Sequence, residues 1–305
     1  MKQVSRLLAE FASRKPIRTG SLIISVFGDA VSPHSSAVWL GSLIKVLEPF
    51  GLNQRQIRTA VFRLVQEDWL VARQMGRRSY YSFTGAGQRH YEKAARRIYH
   101  AKRELWDRKW TLVLPTSCDN REKDLLRREL SWLGYGALTP GMLGHPSGDR
   151  QSLDETLLEL KLTDKVVVLI ASTEDVASRE VLRKLCHDCW GLAGIEKRYN
   201  HFIQRYGTIY RALRKAKQRD DEQCFQVRTL LIHEYRRILL QDSDLPEELL
   251  PPNWPGASAY NLTKNIYHAV QKGSVDYLMR NMETVEGGLD GPGRSFYSRF
   301  DGAAV

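Results

Sequence analysis

Between Asn53 and Glu67 the side chains that can donate hydrogen bonds gather on one side of a helical pattern. At about 100° per residue, Ile57, Ala60, Val61, Leu64 and Val65 form an apolar stripe that must face a core. The opposite face carries Arg55, Gln56, Thr59, Arg63 and Gln66, with Phe62 near its edge and Arg58 on the flank. These types suit the edges of base pairs. Arginine reaches the acceptors of guanine, glutamine reaches adenine, and threonine takes a phosphate or a thymine methyl. Gln54, Arg55, Arg58, Thr59 and Arg63 are therefore candidate DNA-binding residues, and the first four lie in the half of the helix that usually meets bases. A second set of donors follows at a turn, where Arg77 and Arg78 with Ser79 and Tyr80 would lie beside a phosphate backbone or in a minor groove.

Other spacings carry less chemistry. Cys186 and Cys189 in "CHDC" have metal-ligand spacing, but Cys118 and Cys224 stand singly elsewhere. The helical flanks suit packing for Cys186, Cys189 and Trp190. "HEYRR" at His233 lacks the second histidine of a zinc-protease helix, and "GPG" near Gly291 is a tail turn rather than a dinucleotide loop. No Ser-His-Asp or Cys-His arrangement stands out, so no catalytic or metal-binding residue is assigned.

The elements that must hold the donors can be read from periodicity. Thr19 to Ala30 and Ala37 to Leu47 both show helical apolar spacing, and Pro49 and Gly51 break it. Asn53 is a good N-cap for the arginine-bearing helix. "LVARQ" and "SYYSFT" read as two strands around Met75 to Arg78. Helix, helix, turn, helix and hairpin make a winged helix-turn-helix over residues 1–84. Residues 85–105 read as a charged connecting helix, with Arg89, Lys93, Arg96 and Arg97 at helical spacing.

Residues 106–185 alternate. "WTLVLPT", "YGALTP" and the buried-type "VVVLIAS" are strands, and 121–133, 152–161 and 174–185 are helices. That order is compatible with a ferredoxin-like α/β domain. Residues 186–305 are mostly helical around "LPEELLPPNWPG", and the Gly-rich tail from Glu286 is expected to be poorly ordered. The fold class is α+β and multidomain.

Charge agrees with this division. Residues 1–109 hold 20 Lys and Arg against 8 Asp and Glu, a net of +12, whereas residues 110–305 net −1. A basic region on a near-neutral remainder is the footprint of a polyanion-binding module. The first twenty residues contain no long apolar run, and Val166 to Ala171 is too short to span a bilayer. With 4 cysteines this points to a reducing, cytoplasmic compartment and no membrane partner.

The sequence resembles the PaaX family of bacterial repressors of phenylacetic acid degradation operons. The resemblance is carried by "VFGD" (Val26 to Asp29), "WLGSLI" (Trp39 to Ile44), "RTAVFRL" (Arg58 to Leu64), "GRRSYYS" (Gly76 to Ser82), "WDRKW" (Trp106 to Trp110), "GYGALTP" (Gly134 to Pro140) and, most specifically, "EYRRILLQDSDLPEELLPPNWPG" (Glu234 to Gly256). It implies an N-terminal winged helix, a central ferredoxin-like domain similar to the small CRISPR spacer-acquisition nuclease, and a helical C-terminal domain. It also implies homodimers on imperfect palindromes in promoter DNA, released by phenylacetyl-coenzyme A, with no cofactor.

Such an acyl-coenzyme A offers phosphates and an adenine, for which Arg236, Arg237 and Trp254 are candidate contacts. Against that, the arginines could pair with Asp242 or Asp244. The nuclease-like central fold raises metal-dependent phosphodiester cleavage as an alternative. That chemistry needs carboxylates around a divalent ion. The strand Trp110 to Leu114 carries none and ends at Pro115, and Asp119 comes later. A nucleic-acid-binding or scaffold protein with little sequence preference is the other alternative.

Overall fold

The computed structural model describes residues 1–34, 37–100, 105–173 and 179–302. In chain order the elements are α1 (Lys2–Ala12), α2 (Thr19–Val26), a π-helical turn (Phe27–Val31), β1 (Val38–Trp39), α3 (Leu40–Leu47), α4 (Gln54–Gln66), β2 (Leu70–Met75), β3 (Arg78–Phe83) and α5 (Gly85–Tyr99). Then come β4 (Lys109–Leu114), α6 (Asn120–Trp132), β5 (Gly136–Thr139), β6 (Met142–His145), α7 (Arg150–Glu159) and β7 (Val167–Ser172). The chain ends with α8 (Arg179–Cys189), α9 (Leu192–Lys215), α10 (Asp221–Leu239), α11 (Gly256–Asn281), β8 (Glu283–Thr284), β9 (Gly287–Gly288) and α12 (Arg294–Tyr297).

These elements form two units that cut across sequence order. Unit 1 holds residues 1–102, 201–237 and 257–305, and unit 2 holds residues 103–200 and 238–256. Residues from the expected C-terminal helical domain thus pack in the same unit as the first hundred.

Unit 1 carries a sheet in the order β2-β3-β1-β8-β9. Two features differ from the periodicity reading. The stretch from Ala37 opens with the short strand β1, and only Leu40–Leu47 is helical. Val38 and Trp39 pair with Tyr81 and Tyr80 of β3, so sheet pairing overrides the helical spacing at this end. The tail is also folded as far as Gly302. Gly287 and Gly288 pair with β8, and Phe296 and Phe300 are buried. Aromatic anchors that a glycine count hides hold it down.

Unit 2 contains a β4-α6-β5-β6-α7-β7 run whose sheet order is β5-β6-β4-β7, with every pair antiparallel. That is the split β-α-β arrangement of a ferredoxin-like sandwich. Val113, Leu126, Leu130, Leu143, Leu153 and Leu157 build its core. Sequence reading overlooked β6, a four-residue strand rich in glycine and histidine. It also took β7 for a buried strand, whereas β7 is an edge strand with Val167, Leu169 and Ile170 exposed to 42%, 45% and 56%. A continuous aliphatic run cannot by itself tell a covered strand from an uncovered one. The expected helix over 174–185 begins within the described residues at Arg179, with 174–178 outside them, and the connecting helix 85–105 is helical to Tyr99, with 101–104 outside them.

The proline-rich segment braces unit 2. Ser243 O accepts from His145 Nε2 at 3.0 Å, and Glu248 O accepts from Arg183 Nε at 2.9 Å. Tyr199 donates to Asp242 Oδ2 at 2.6 Å.

Candidate nucleic-acid interface

The arginine-bearing helix is positioned by its start and its buried stripe. Gly51 adopts φ 79°, where other residues are strained, and a Cβ there would lie 2.5 Å from that of Ala12. The turn therefore requires glycine. Asn53 caps α4 by accepting from Gln56 N at 2.9 Å, and Gln56 Oε1 accepts from Asn53 N at 2.9 Å. This reciprocal pair satisfies two backbone donors that would otherwise lack partners. Ile57, Ala60, Val61 and Leu64 are buried, and α4 packs on α2 and α3. Burial of each large aliphatic contributes about 1.5–3 kcal/mol.

Everything opposite that stripe is open. Gln54, Arg55, Gln56, Arg58, Thr59, Phe62, Arg63 and Gln66 are all exposed. Phe62 is exposed to 62%, a large apolar ring among donors. Three arginines on one face of a capped helix form a rigid cationic surface with mixed hydrogen-bonding and apolar character.

The hairpin stands beside it in sequence and is exposed along β2 from Val71 and at its tip. Six residue pairs run from Leu70↔Phe83 to Met75↔Arg78, leaving Gly76 and Arg77 as a two-residue tip. Gly76 has φ 58°, as two-residue hairpin turns favour. Gln74 ties the tip by donating to Gly76 O at 2.9 Å and accepting from Ser79 Oγ at 2.9 Å.

The four candidate residues here divide. Arg77 is exposed at the tip. Arg78 lies over the Trp39 ring at 4.3 Å and pairs with Glu283 at 2.7 Å. Tyr80 and Glu283 hold its pKa above the ordinary value, and at 51% side-chain exposure it still meets solvent. Ser79 is half-buried. Tyr80 is only 6% exposed, so its ring belongs to the interior of unit 1 and is not available on the surface. Alternation along β3 turns it inward.

The cysteines of "CHDC" serve packing. Cys186 is buried, and burial pushes its thiol up to about 12. Cys189 Sγ donates to Ala137 O at 3.2 Å, and Trp190 Nε1 donates to Gly134 O at 2.7 Å. Asp119 caps α6 through a reciprocal pair with Glu122, which in turn meets Lys165 at 2.5 Å. Among the described residues no three His, Cys, Asp or Glu side chains gather as a metal site.

The family model described as PaaX-like protein matches residues 18–87, which contain α4 and the hairpin. The PaaX protein central Cas2-like domain matches residues 103–182, and the PaaX-like protein C-terminal domain matches residues 190–280. The chain belongs to the PaaX family. Among PaaX proteins, the transcriptional repressor PaaX of Escherichia coli strain K12 is 36% identical over 306 residues, covering 100% of this chain and 97% of that protein. An uncharacterized protein from Mycobacterium tuberculosis has a solved structure with a TM-score of 0.53 at 25% identity, covering 83% of this chain and 95% of that one.

In this PaaX-family chain the three effector candidates are divided between the two units. Arg236 is 7% exposed and donates to Ser25 Oγ at 3.2 Å and Ser21 O at 3.4 Å, so it spends its guanidinium inside unit 1. Arg237 is half-buried in the same unit. Trp254 belongs to unit 2, where it meets Tyr199 edge-on at 5.9 Å.

The sequence reading missed a buried charge cluster around Asp29 in unit 1. Arg228 Nε reaches Asp29 Oδ2 at 2.8 Å, and Tyr99 donates to Oδ1 at 2.6 Å. The available signal was a lone acid ending the apolar stretch "SLIISVFGD". No helix among the described residues is long and apolar enough to cross a membrane.

Proposed function

We propose that this protein is a DNA-binding transcriptional repressor of phenylacetate catabolism genes, and not an enzyme. The observation that carries the reading is the capped helix α4, whose exposed face holds Arg55, Arg58, Thr59 and Arg63 in a PaaX-family chain. In this reading α3, the Gly51 turn and α4 form a helix-turn-helix, and β2–β3 is its wing. Gln54, Arg55, Arg58 and Thr59 meet base edges in the major groove. Arg77 and the solvent-facing side of Arg78 neutralise phosphates. Affinity comes mainly from the basic charge, and specificity from α4. The full-length likeness to the Escherichia coli repressor supports this over a binder without sequence preference.

A homodimer on an imperfect palindrome places one α4 in each half-site. Phenylacetyl-coenzyme A releases the operator by binding better to the form that cannot hold DNA, since equal affinity would shift nothing. The reading extends to a cytoplasmic location.

Fluorescence anisotropy on promoter DNA beside the protein's own gene, against scrambled DNA, tests this. Preference for the promoter that phenylacetyl-coenzyme A removes, while free phenylacetate does not, is the expected result. Preference that ignores the thioester would leave the repressor and remove the effector. Magnesium-dependent loss of intact DNA would replace the reading with a nuclease.

A further inference from the structure

Asp29 collects more positive charge than it can balance. Besides Arg228, it receives Arg299 Nη1 at 3.1 Å on the Oδ1 that also accepts from Tyr99 and from Tyr267 at 3.0 Å. Burial pushes both tyrosine hydroxyls up, so they stay neutral. Two guanidiniums thus share one carboxylate. A buried group of this kind retains a net positive charge, which an anion would relieve.

The space for one lies alongside. A cavity of about 340 Å³ is lined by Arg299, Arg96, Tyr91, Phe296, Glu92 and Ser295, among others. Arg299 is 14% exposed, and among the described residues its Nε–H makes no hydrogen bond. Arg96 is exposed at the mouth, on α5. The lining acid, Glu92, accepts from Gln88 at 2.7 Å, while Gln88 itself accepts from Ser32 at 3.0 Å. Tyr91 and Phe296 also line the cavity, but both are buried, with Gly28 and Phe83 against the Tyr91 ring and Arg228 and Arg299 over that of Phe296. Two guanidiniums lining a cavity of this size fit a small anion.

The geometry points to this cavity as a binding site for an anionic small molecule, whose carboxylate or phosphate meets Arg299 and Arg96. It also gives the site a route to the hairpin. Tyr91 stacks on Phe83, the last residue of β3, at 5.8 Å and 29°. Trp69 touches Phe83 at 6.4 Å and His90 at 5.6 Å. A ligand that shifts Tyr91 therefore shifts the base of the hairpin. This regulatory role rests on the repressor reading proposed above, whereas the binding site itself does not.

Calorimetry on the full chain decides it, with inorganic phosphate, phenylacetate, coenzyme A and phenylacetyl-coenzyme A as separate probes. The variants are Arg96→Glu and Ser295→Trp, both at exposed positions. At least one probe binds wild type, and both variants weaken it by roughly tenfold or more with unchanged circular dichroism. Binding by phenylacetate alone assigns a carboxylate, and binding by the other probes assigns a phosphate. Hydrogen exchange slows over residues 88–100 and 294–299 when the probe is bound. Should Arg96→Glu misfold, Ser295→Trp alone decides.

No binding by any probe, or binding that both variants leave unchanged, overturns the site. Anisotropy on promoter DNA without ligand, in the same preparations, separates the two claims. A protein without promoter preference that still loses the probe in both variants keeps the site and loses the repressor. The reverse result keeps the repressor and loses the site.

Discussion

Two groups of arginines in unit 1 show how environment divides one residue type between an open face and a buried cluster. Arg55, Arg58 and Arg63 stand exposed on α4, and Arg228 and Arg299 converge on buried Asp29. The first group keeps its donors in water, so replacing one costs the fold little. In the second group Arg228 has given up water, and both arginines meet a carboxylate, a tyrosine ring and the Phe296 ring. There, removing one partner strands the others. Sequence position does not separate the groups, because Arg228 lies on α10 between residues that look no different from those of α4.

The sharpest way to break this contrast is Arg228→Ala. Arg299 still balances the Asp29 charge, but Asp29 Oδ2 and Asp29 O each lose the donor that Arg228 supplies, and unfolding free energy is expected to fall by about 1–3 kcal/mol for each acceptor left stranded in denaturant titration. A loss as small as that of an exposed arginine would put Arg228 in the wrong group.

His233 gives the next largest effect on the buried side. Burial, with Arg236, Arg237 and Arg14 nearby, pushes its pKa down to about 3. The unfolded value is about 6.5. The folded group is neutral, so its contribution is complete above the unfolded value. It is lost as pH falls below that value, because the unfolded chain takes up the proton first. At about pH 5 this one group costs roughly 2 kcal/mol relative to neutral pH, and His233→Asn flattens that part of the pH profile. An identical profile in the variant would assign the acid sensitivity elsewhere.

On the exposed side, Asn53→Ala removes the α4 cap and costs about 1 kcal/mol of stability. Urea midpoints measure it, and no change would mean that packing alone holds the start of α4. Smallest of all is Arg77→Ala at the hairpin tip. Stability stays within about 0.5 kcal/mol, and the slope of log affinity for DNA against log salt flattens by about one. An unaltered slope would clear the tip of a phosphate contact.

The exposed side was the legible one. Amphipathic spacing fixed the buried and open faces of α4, the Asn53 cap was readable from its type and place, and strand alternation with Gly76 gave the hairpin. What sequence could not show depends on contacts remote along the chain. Trp39 became a strand because β3 pairs with it, and Tyr80 turned inward for the same reason. The tail is held by Phe296 and Phe300 against Tyr267 of α11, and by Phe300 against Tyr99 of the remote α5. Asp29, Arg228 and Arg299 are spread over most of the chain, and nothing local announces that they meet. Likewise β7 and a core strand share one composition, and only the sheet order exposes its edge.

The most direct test of the α4 face uses the double variant Arg55→Ala/Arg58→Ala. Its affinity for promoter DNA and for scrambled DNA should be measured at one salt concentration beside wild type. Collapse of the ratio between the two, with thermal stability unchanged and residual binding to both DNAs, is the predicted result. A ratio equal to that of wild type would show that sequence is read elsewhere and would contradict the account.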